Sequence, residues 1–316
     1  MELIVLQPFT HLTTDPLPLT GLVVDKLFRI GNDKDTVRAF AEERFAEAAG
    51  TLDTFQLANN HVYAYVANKS TADAIKEVDA LAFLHAFMVK TQLFMLALWM
   101  IKDNSANAYE GYLRLDDIHG PHYLSERFSN WFFMADCEQR EVHFTAAELD
   151  TALAFYAQFD TVIPKVPNNE KRISGLIHDS RVARTLYFLQ AARTTGDLLV
   201  KIAFYCMCLE SLFSTDKEGI NYRVAERTAL FIGSEGPERR KILEDVTKLY
   251  GTRSKVVHGN LVKENQLSDL FERVKQGDAY LRACLAKILG DPAMLELFSE
   301  KPNEGIIEYF RARVFD

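Results

Sequence analysis

A chain of 316 residues, 48% hydrophobic and 25% charged, is long enough for two hydrophobic cores and has the make-up of a globular rather than a disordered protein. Its formal net charge of −8 argues against broad, sequence-blind binding to nucleic acid, which needs clustered cations to displace counterions. Its four cysteines suggest neither a disulfide framework nor a C-x-x-C metal site: Cys206 and Cys208 stand two apart on a predicted helix and point to different faces, and Cys137 and Cys284 are isolated.

The N-terminal stretch MELIVLQPFTHLTTDPLP has no basic segment followed by a longer apolar core, so no secretory signal is predicted and the cytoplasm is the expected compartment. Short alternating or β-branched runs follow along the first half. ELIVLQ, LVVDKLFRI, HVYAYVA, YEGYLRL and NWFFMADC predict strands, and helices are predicted between them near 35–49, 71–102 and 146–159. The most apolar run, AFLHAFMVKTQLFMLALWMI, has the length of a membrane span but carries His85, Lys90, Thr91 and Gln92 near its middle; a buried helix is expected, with no membrane partner. His85 on that helix is expected to be a satisfied core histidine. In LDDIHGPHY, Asp116, Asp117, His119 and His122 lie close together, but Gly120 and Pro121 make the segment a turn and the spacing matches no standard metal-ligand pattern. His11, His61, His143 and His178 have no partner close in sequence.

The segment TVIPKVPNNEKRISG, with two prolines, two asparagines and a glycine, is the best linker candidate. An α+β fold is therefore predicted, with a mixed α/β domain over residues 1–163 and an all-α domain over 176–316. Within the latter, 181–213 reads as a long helical pattern interrupted near Gly196. Further helices are predicted over 222–232, 238–258 and 266–289, the last closed by Gly290, Asp291 and Pro292. Four helices on short connections predict a four-helix-type antiparallel bundle, with one or two short helices after Pro292. From Arg223 to Lys263 there are nine Lys or Arg against five Asp or Glu, a local reversal of the overall charge.

The helix over 238–258 carries the one chemical peculiarity. Ile242, Leu243, Val246, Leu249 and Tyr250 follow the spacing of an inward face, and the same stripe runs on through Arg253. A guanidinium in that position needs a partner. Ser254 and His258, four apart, follow along the edge of the face, and Gly259 supplies a helix stop. Two readings are open on position alone. Arg253 pairs structurally with an internal acid such as Glu210, itself oddly placed in the apolar run IAFYCMCLESLF, with His258 as a favourable charge at a helix C-terminus; or the two serve chemistry. No G-x-S-x-G, Walker A or G-x-G-x-x-G motif is present, so neither a nucleophile elbow nor a standard phosphate loop has local support.

Taken together, a long first helix ending in CLESLF, a basic second helix YRVAERTALF and then KLYGTRSKVVHG resemble a HEPN domain of the Apea-like branch, over roughly residues 181–290. The family's R-x4-6-H signature falls on Arg253 and His258, with Ser254 in the slot after the arginine. The resemblance implies a helical bundle that pairs about a twofold axis. In active members it implies a metal-independent, cofactor-free endoribonuclease, in which the RNA 2′-hydroxyl attacks the neighbouring phosphorus and leaves a 2′,3′-cyclic phosphate and a 5′-hydroxyl. It further implies a setting in prokaryotic antiviral defence or as a toxin, with RNA or nucleotide and a second copy of the chain as partners. On that basis His258 is expected to act as general acid or base, Arg253 to hold the phosphate, Ser254 to orient by hydrogen bonding, Glu210 to position Arg253 or another arginine, and Tyr250 to pack. The first domain is expected to be regulatory or ligand-binding. The chain departs from the family at Asn260, where the toxin branch often has tyrosine, and at Ser254, where asparagine or aspartate is commoner. The alternative implied by the same resemblance is a non-catalytic HEPN module that binds RNA or nucleotide, or only dimerises.

Overall fold

The structure, a computed structural model, describes residues 2–26, 28–41, 43–68, 77–117, 119–162, 180–215, 219–257, 267–300 and 302–314. The protein is mixed α+β, with a sheet in its N-terminal half and helices in its C-terminal half. It divides into two compact units, Met1–Phe132 with Gln139–Tyr156, and Phe133–Glu138 with Ala157–Asp316. The predicted linker falls, apart from its first residues, outside the described residues.

In the first unit, β1 (Glu2–Phe9), β3 (Leu22–Val23), β4 (Arg29–Gly31), β5 (Val62–Asn68), β6 (Glu110–Asp117) and β7 (Gly120–Arg127) form an antiparallel sheet in the order β3-β4-β5-β1-β6-β7. Two short strands, β2 (Leu12–Thr14) and β8 (Val142–Phe144), pair in parallel beside it. The helices α1 (Lys34–Phe40), α2 (Glu43–Ala49) and α3 (Thr51–Asn59) cover one face, where Leu6, Val37, Phe40, Phe45, Leu57 and Tyr112 form a buried cluster. The long helix α4 (Glu77–Ile101) lies against β6 and β7. Gly111 permits that approach, because a Cβ there would stand 2.8 Å from Met88 Sδ. From α4, Phe87 and Phe94 meet Phe28 edge to face with ring centroids 5.4 and 5.9 Å apart, a geometry that adds to the burial of the rings themselves. Among the described residues, Asp79–Ile101 is the one helix long and apolar enough to cross a membrane, with mean hydropathy 1.6, and half of that stretch is buried inside the protein.

Three sequence expectations for the first half of the chain are corrected. LVVDKLFRI is not one strand: the Asp25 carboxylate accepts the Phe28 amide at 2.9 Å and turns the chain back on itself between β3 and β4. NWFFMADC holds no strand; Cys137 has a φ of 66°, and Met134 and Glu138 close a turn by a backbone bond of 2.9 Å. His85 is not a core residue. Its side chain is 46% exposed and its Nδ1 lies 2.7 Å from the Glu126 carboxylate. LDDIHGPHY is the β6–β7 hairpin, and among the described residues no group of three or more His, Cys, Asp or Glu side chains is placed to hold a metal ion.

The second unit is helical. Its helices are α6 (Arg181–Thr194), α7 (Leu198–Phe213), α8 (Ile220–Ile232), α9 (Gly236–Val257), α10 (Leu267–Leu289), α11 (Pro292–Ser299) and α12 (Asn303–Val314); α5 (Ala146–Val162) runs across the boundary between the units. Local chemistry sets three of the helix starts. Ser180 Oγ accepts the Ala183 amide, the Asp197 carboxylate accepts the Leu199 and Val200 amides, and Asp291 caps a helix whose first residue is Pro292. The break between α6 and α7 falls at 195–197, where Gly196 follows Thr195.

Helix α7 is the hub, packed by α6, α8, α9 and α10, and its composition follows: Ile202, Tyr205, Cys206, Cys208, Leu209, Leu212 and Phe213 are all buried. Two polar side chains buried along α7 are paired, as most buried polar groups are. Tyr205 donates to Asp278 at 2.8 Å. Lys201, fully buried, donates to the Met134 carbonyl at 2.7 Å and ties the 133–138 segment onto α7. Replacing Lys201 by methionine keeps the apolar stem but strips that carbonyl, so a loss of about 1–3 kcal/mol is expected in urea denaturation; an unchanged midpoint would show that the lysine contributes nothing net.

Candidate functional site

On α9 the inward stripe is realised: Ile242, Val246, Leu249 and Tyr250 are buried, and Thr252 is buried beside them. Arg253 lies at the end of this face, neither in the core nor free in solvent. Its side chain is 31% exposed, and Nη2 stands 3.7 Å from Glu210 Oε1, whose own side chain is 24% exposed. That separation is an ion pair rather than a tight hydrogen bond. The seam has a simple periodic origin. On α7, Cys206 and Glu210 are one turn apart; on α9, Tyr250 and Arg253 are one turn apart. Tyr250 donates its hydroxyl to the Cys206 carbonyl at 3.3 Å, and Arg253 meets Glu210 one turn further on.

Burial pushes the Glu210 carboxyl above the ordinary glutamate value, with Arg253 and Tyr250 partly opposing. Burial also pushes the Tyr250 hydroxyl well up, and the nearby Cys206 and Glu210 add to it. Tyr250 therefore stays protonated at neutral pH, a packing group and a donor rather than a base. Since folded Glu210 holds its proton more tightly than the unfolded chain does, its contribution favours folding in acid and is lost as pH rises from the ordinary glutamate range through the raised folded value. Compared with Glu210→Gln by urea denaturation from about pH 4 to about pH 8, the wild type is expected to lose stability relative to the variant. Parallel curves would contradict the assigned direction.

Ser254 is exposed on α9. His258 lies outside the described residues, as do Gly259 and Asn260. The structure thus brings together Arg253, Glu210 and Tyr250, and sets Ser254 on the solvent side of the same turn.

Around Glu210 are arginines that the sequence reading did not single out. Arg181 Nη1 donates to the Ser211, Leu212 and Ser214 carbonyls at 3.1, 3.1 and 2.8 Å, and its Nη2 donates to Asn303. Arg227 Nη1 donates to the Phe213 carbonyl at 2.5 Å and to Thr215 Oγ1 at 3.0 Å. Both hold the C-terminal end of α7, where carbonyls lack helical partners and the helix dipole is negative. Burial, with Arg184 and Arg227 nearby, pulls the Arg181 guanidinium down to about 10, which leaves it charged at neutral pH. Between α6 and α7 opens a cleft of about 500 Å³, lined among others by Arg181, Arg184, Phe188, Met207, Glu210 and Ser211. Arg181, Arg184 and Phe188 stand at i, i+3 and i+7 on α6, a spacing that could have marked them as one face.

Comparison with protein-family models gives no match, and comparisons with curated proteins and with solved structures likewise give none.

Proposed function

We propose that the second unit is an Apea-like HEPN domain and a metal-independent endoribonuclease that works as a homodimer. The observation that carries the reading is the placement of Arg253: at the end of the α9 stripe, a third exposed, and held by one half-buried carboxylate at 3.7 Å. A guanidinium so placed keeps donors available for phosphate oxygens, and its planar fork suits them. In this reading one imidazole removes the proton from the 2′-hydroxyl as that oxygen attacks phosphorus. The bond from phosphorus to the 5′-oxygen breaks, and a second imidazole protonates the leaving oxygen. Two copies of His258 across a twofold axis supply the base and the acid, and two copies of Arg253 offset the charge that builds on the phosphorane. Ser254, exposed beside Arg253, orients the strand.

The second reading, a HEPN module that binds RNA or nucleotide or only dimerises, has the Arg253–Glu210 pair on its side, because that pair partly satisfies the arginine within one chain. Incubating the full chain with tRNA, mRNA and phage RNA, and identifying the product ends, decides between them. The nuclease reading expects 2′,3′-cyclic phosphate and 5′-hydroxyl ends, formed equally well with EDTA present. Intact RNA bound by the protein favours the second reading.

A further inference from the structure

Glu210 has two neighbours of interest: Arg253 on one side, and on the other the cleft between α6 and α7. At about 500 Å³ the cleft has the size of a small-ligand site. Its charge is unusual for an acidic chain, with two guanidiniums, Arg181 and Arg184, against one carboxylate, Glu210. Arg181 is a fixed, buried cation committed to the α7 carbonyls, whereas Arg184, a turn further along α6, is only half-buried. The wall beyond them carries one aromatic ring. Phe188 lines the cleft, and Tyr187, 55% exposed, packs edge to face against it with ring centroids 5.7 Å apart. Ser211 on α7 and Ser214 just past its end add hydroxyls.

These features select among ligands. An apolar molecule would desolvate a charged, net-positive lining and offer no charge of its own in return. A bare anion would leave the aromatic wall unused. A phosphate joined to a flat ring uses both, and cationic grooves interleaved with aromatic faces are how single-stranded nucleic acids are held one unit at a time. We infer that the cleft seats one nucleotide of the RNA strand next to the phosphate held by Arg253, with its own phosphate toward Arg184, its base against Phe188 and its polar edge toward Ser211 and Ser214. This rests on the nuclease reading for the position of the neighbouring phosphate, while the subsite itself is measured by binding alone.

The test uses the full chain and a fluorescent 2′-O-methyl RNA decamer, which lacks the attacking hydroxyl and so cannot be cut, with anisotropy followed over a salt series. Arg184→Gln is expected to weaken binding about tenfold and to reduce the salt slope by about one, and Arg184→Lys to retain the slope. Phe188→Leu, which keeps an apolar side chain in the wall but removes the flat ring, is expected to weaken binding about fivefold with the slope unchanged. Adenosine monophosphate is expected to displace the decamer at lower concentration than inorganic phosphate. Wild-type binding by both Arg184→Gln and Phe188→Leu, or equal displacement by the two competitors, would overturn the subsite even if RNA is cleaved. Conversely, binding that depends on both residues in a chain that never cleaves unmodified RNA would overturn the nuclease reading alone.

Discussion

Replacement of Arg253 by glutamine is expected to slow RNA cleavage about 10²- to 10³-fold, the usual cost of removing a donor aimed at developing charge, while changing stability by no more than about 1 kcal/mol. The two halves of this expectation have separate sources. The ion pair with Glu210 is long and about a quarter to a third exposed, so its loss is cheap, and Glu210 can take up a proton more readily once the guanidinium is gone. The phosphorane has no such recourse. Arg253→Lys is expected to recover part of the rate, since a point charge replaces the fork but cannot grip two oxygens. Single-turnover cleavage and urea denaturation on the same preparations check both halves; a variant that loses rate only because it unfolds would show it in the second measurement.

The largest effect on stability is expected at Arg181. Arg181→Met strips this donor from three carbonyls at the end of α7 and from Asn303, leaving Arg227 on the Phe213 carbonyl as the guanidinium that still holds that end. At about 1 kcal/mol or more for each carbonyl, the loss is expected to reach about 3–5 kcal/mol in urea denaturation. Because α7 carries Glu210 and Ser211 in its last turn, the decamer affinity of any folded fraction should fall as well. A loss below about 1 kcal/mol would mean that water satisfies these carbonyls as well as the guanidinium does.

Much of the second unit was legible because its signals are local. The break near Gly196 and the stop at Gly290, Asp291 and Pro292 are set by single residues, and the apolar stripe of α9 is plain periodicity. The first half of the chain was harder. NWFFMADC has the aromatic content of a strand, yet its course is set by distant partners: Asn107 Oδ1 accepts the Phe132 amide at 2.6 Å, and the Arg193 carbonyl accepts the Phe133 amide at 2.8 Å. No window along the chain contains those acceptors. LVVDKLFRI misled for the opposite reason, since one short-range bond from Asp25 outweighs nine residues of strand propensity.

The candidate site divides the same way. Arg253 was visible as a break in a stripe, and Glu210 as an acid in an apolar run. Arg181, Arg184 and Arg227 were not visible as a group, because α6, α7 and α8 bring them together only in three dimensions, and each sits in a segment where an exposed arginine would be ordinary.

The measurement that bears most directly on the central claim compares the wild-type chain with His258→Ala on one RNA in the presence of EDTA, with melting curves as the control for folding. The account predicts cyclic-phosphate ends from the wild type and a rate at least about 10²-fold lower from the variant. Equal rates from the two proteins, or a wild-type activity that disappears with the chelator, would contradict it.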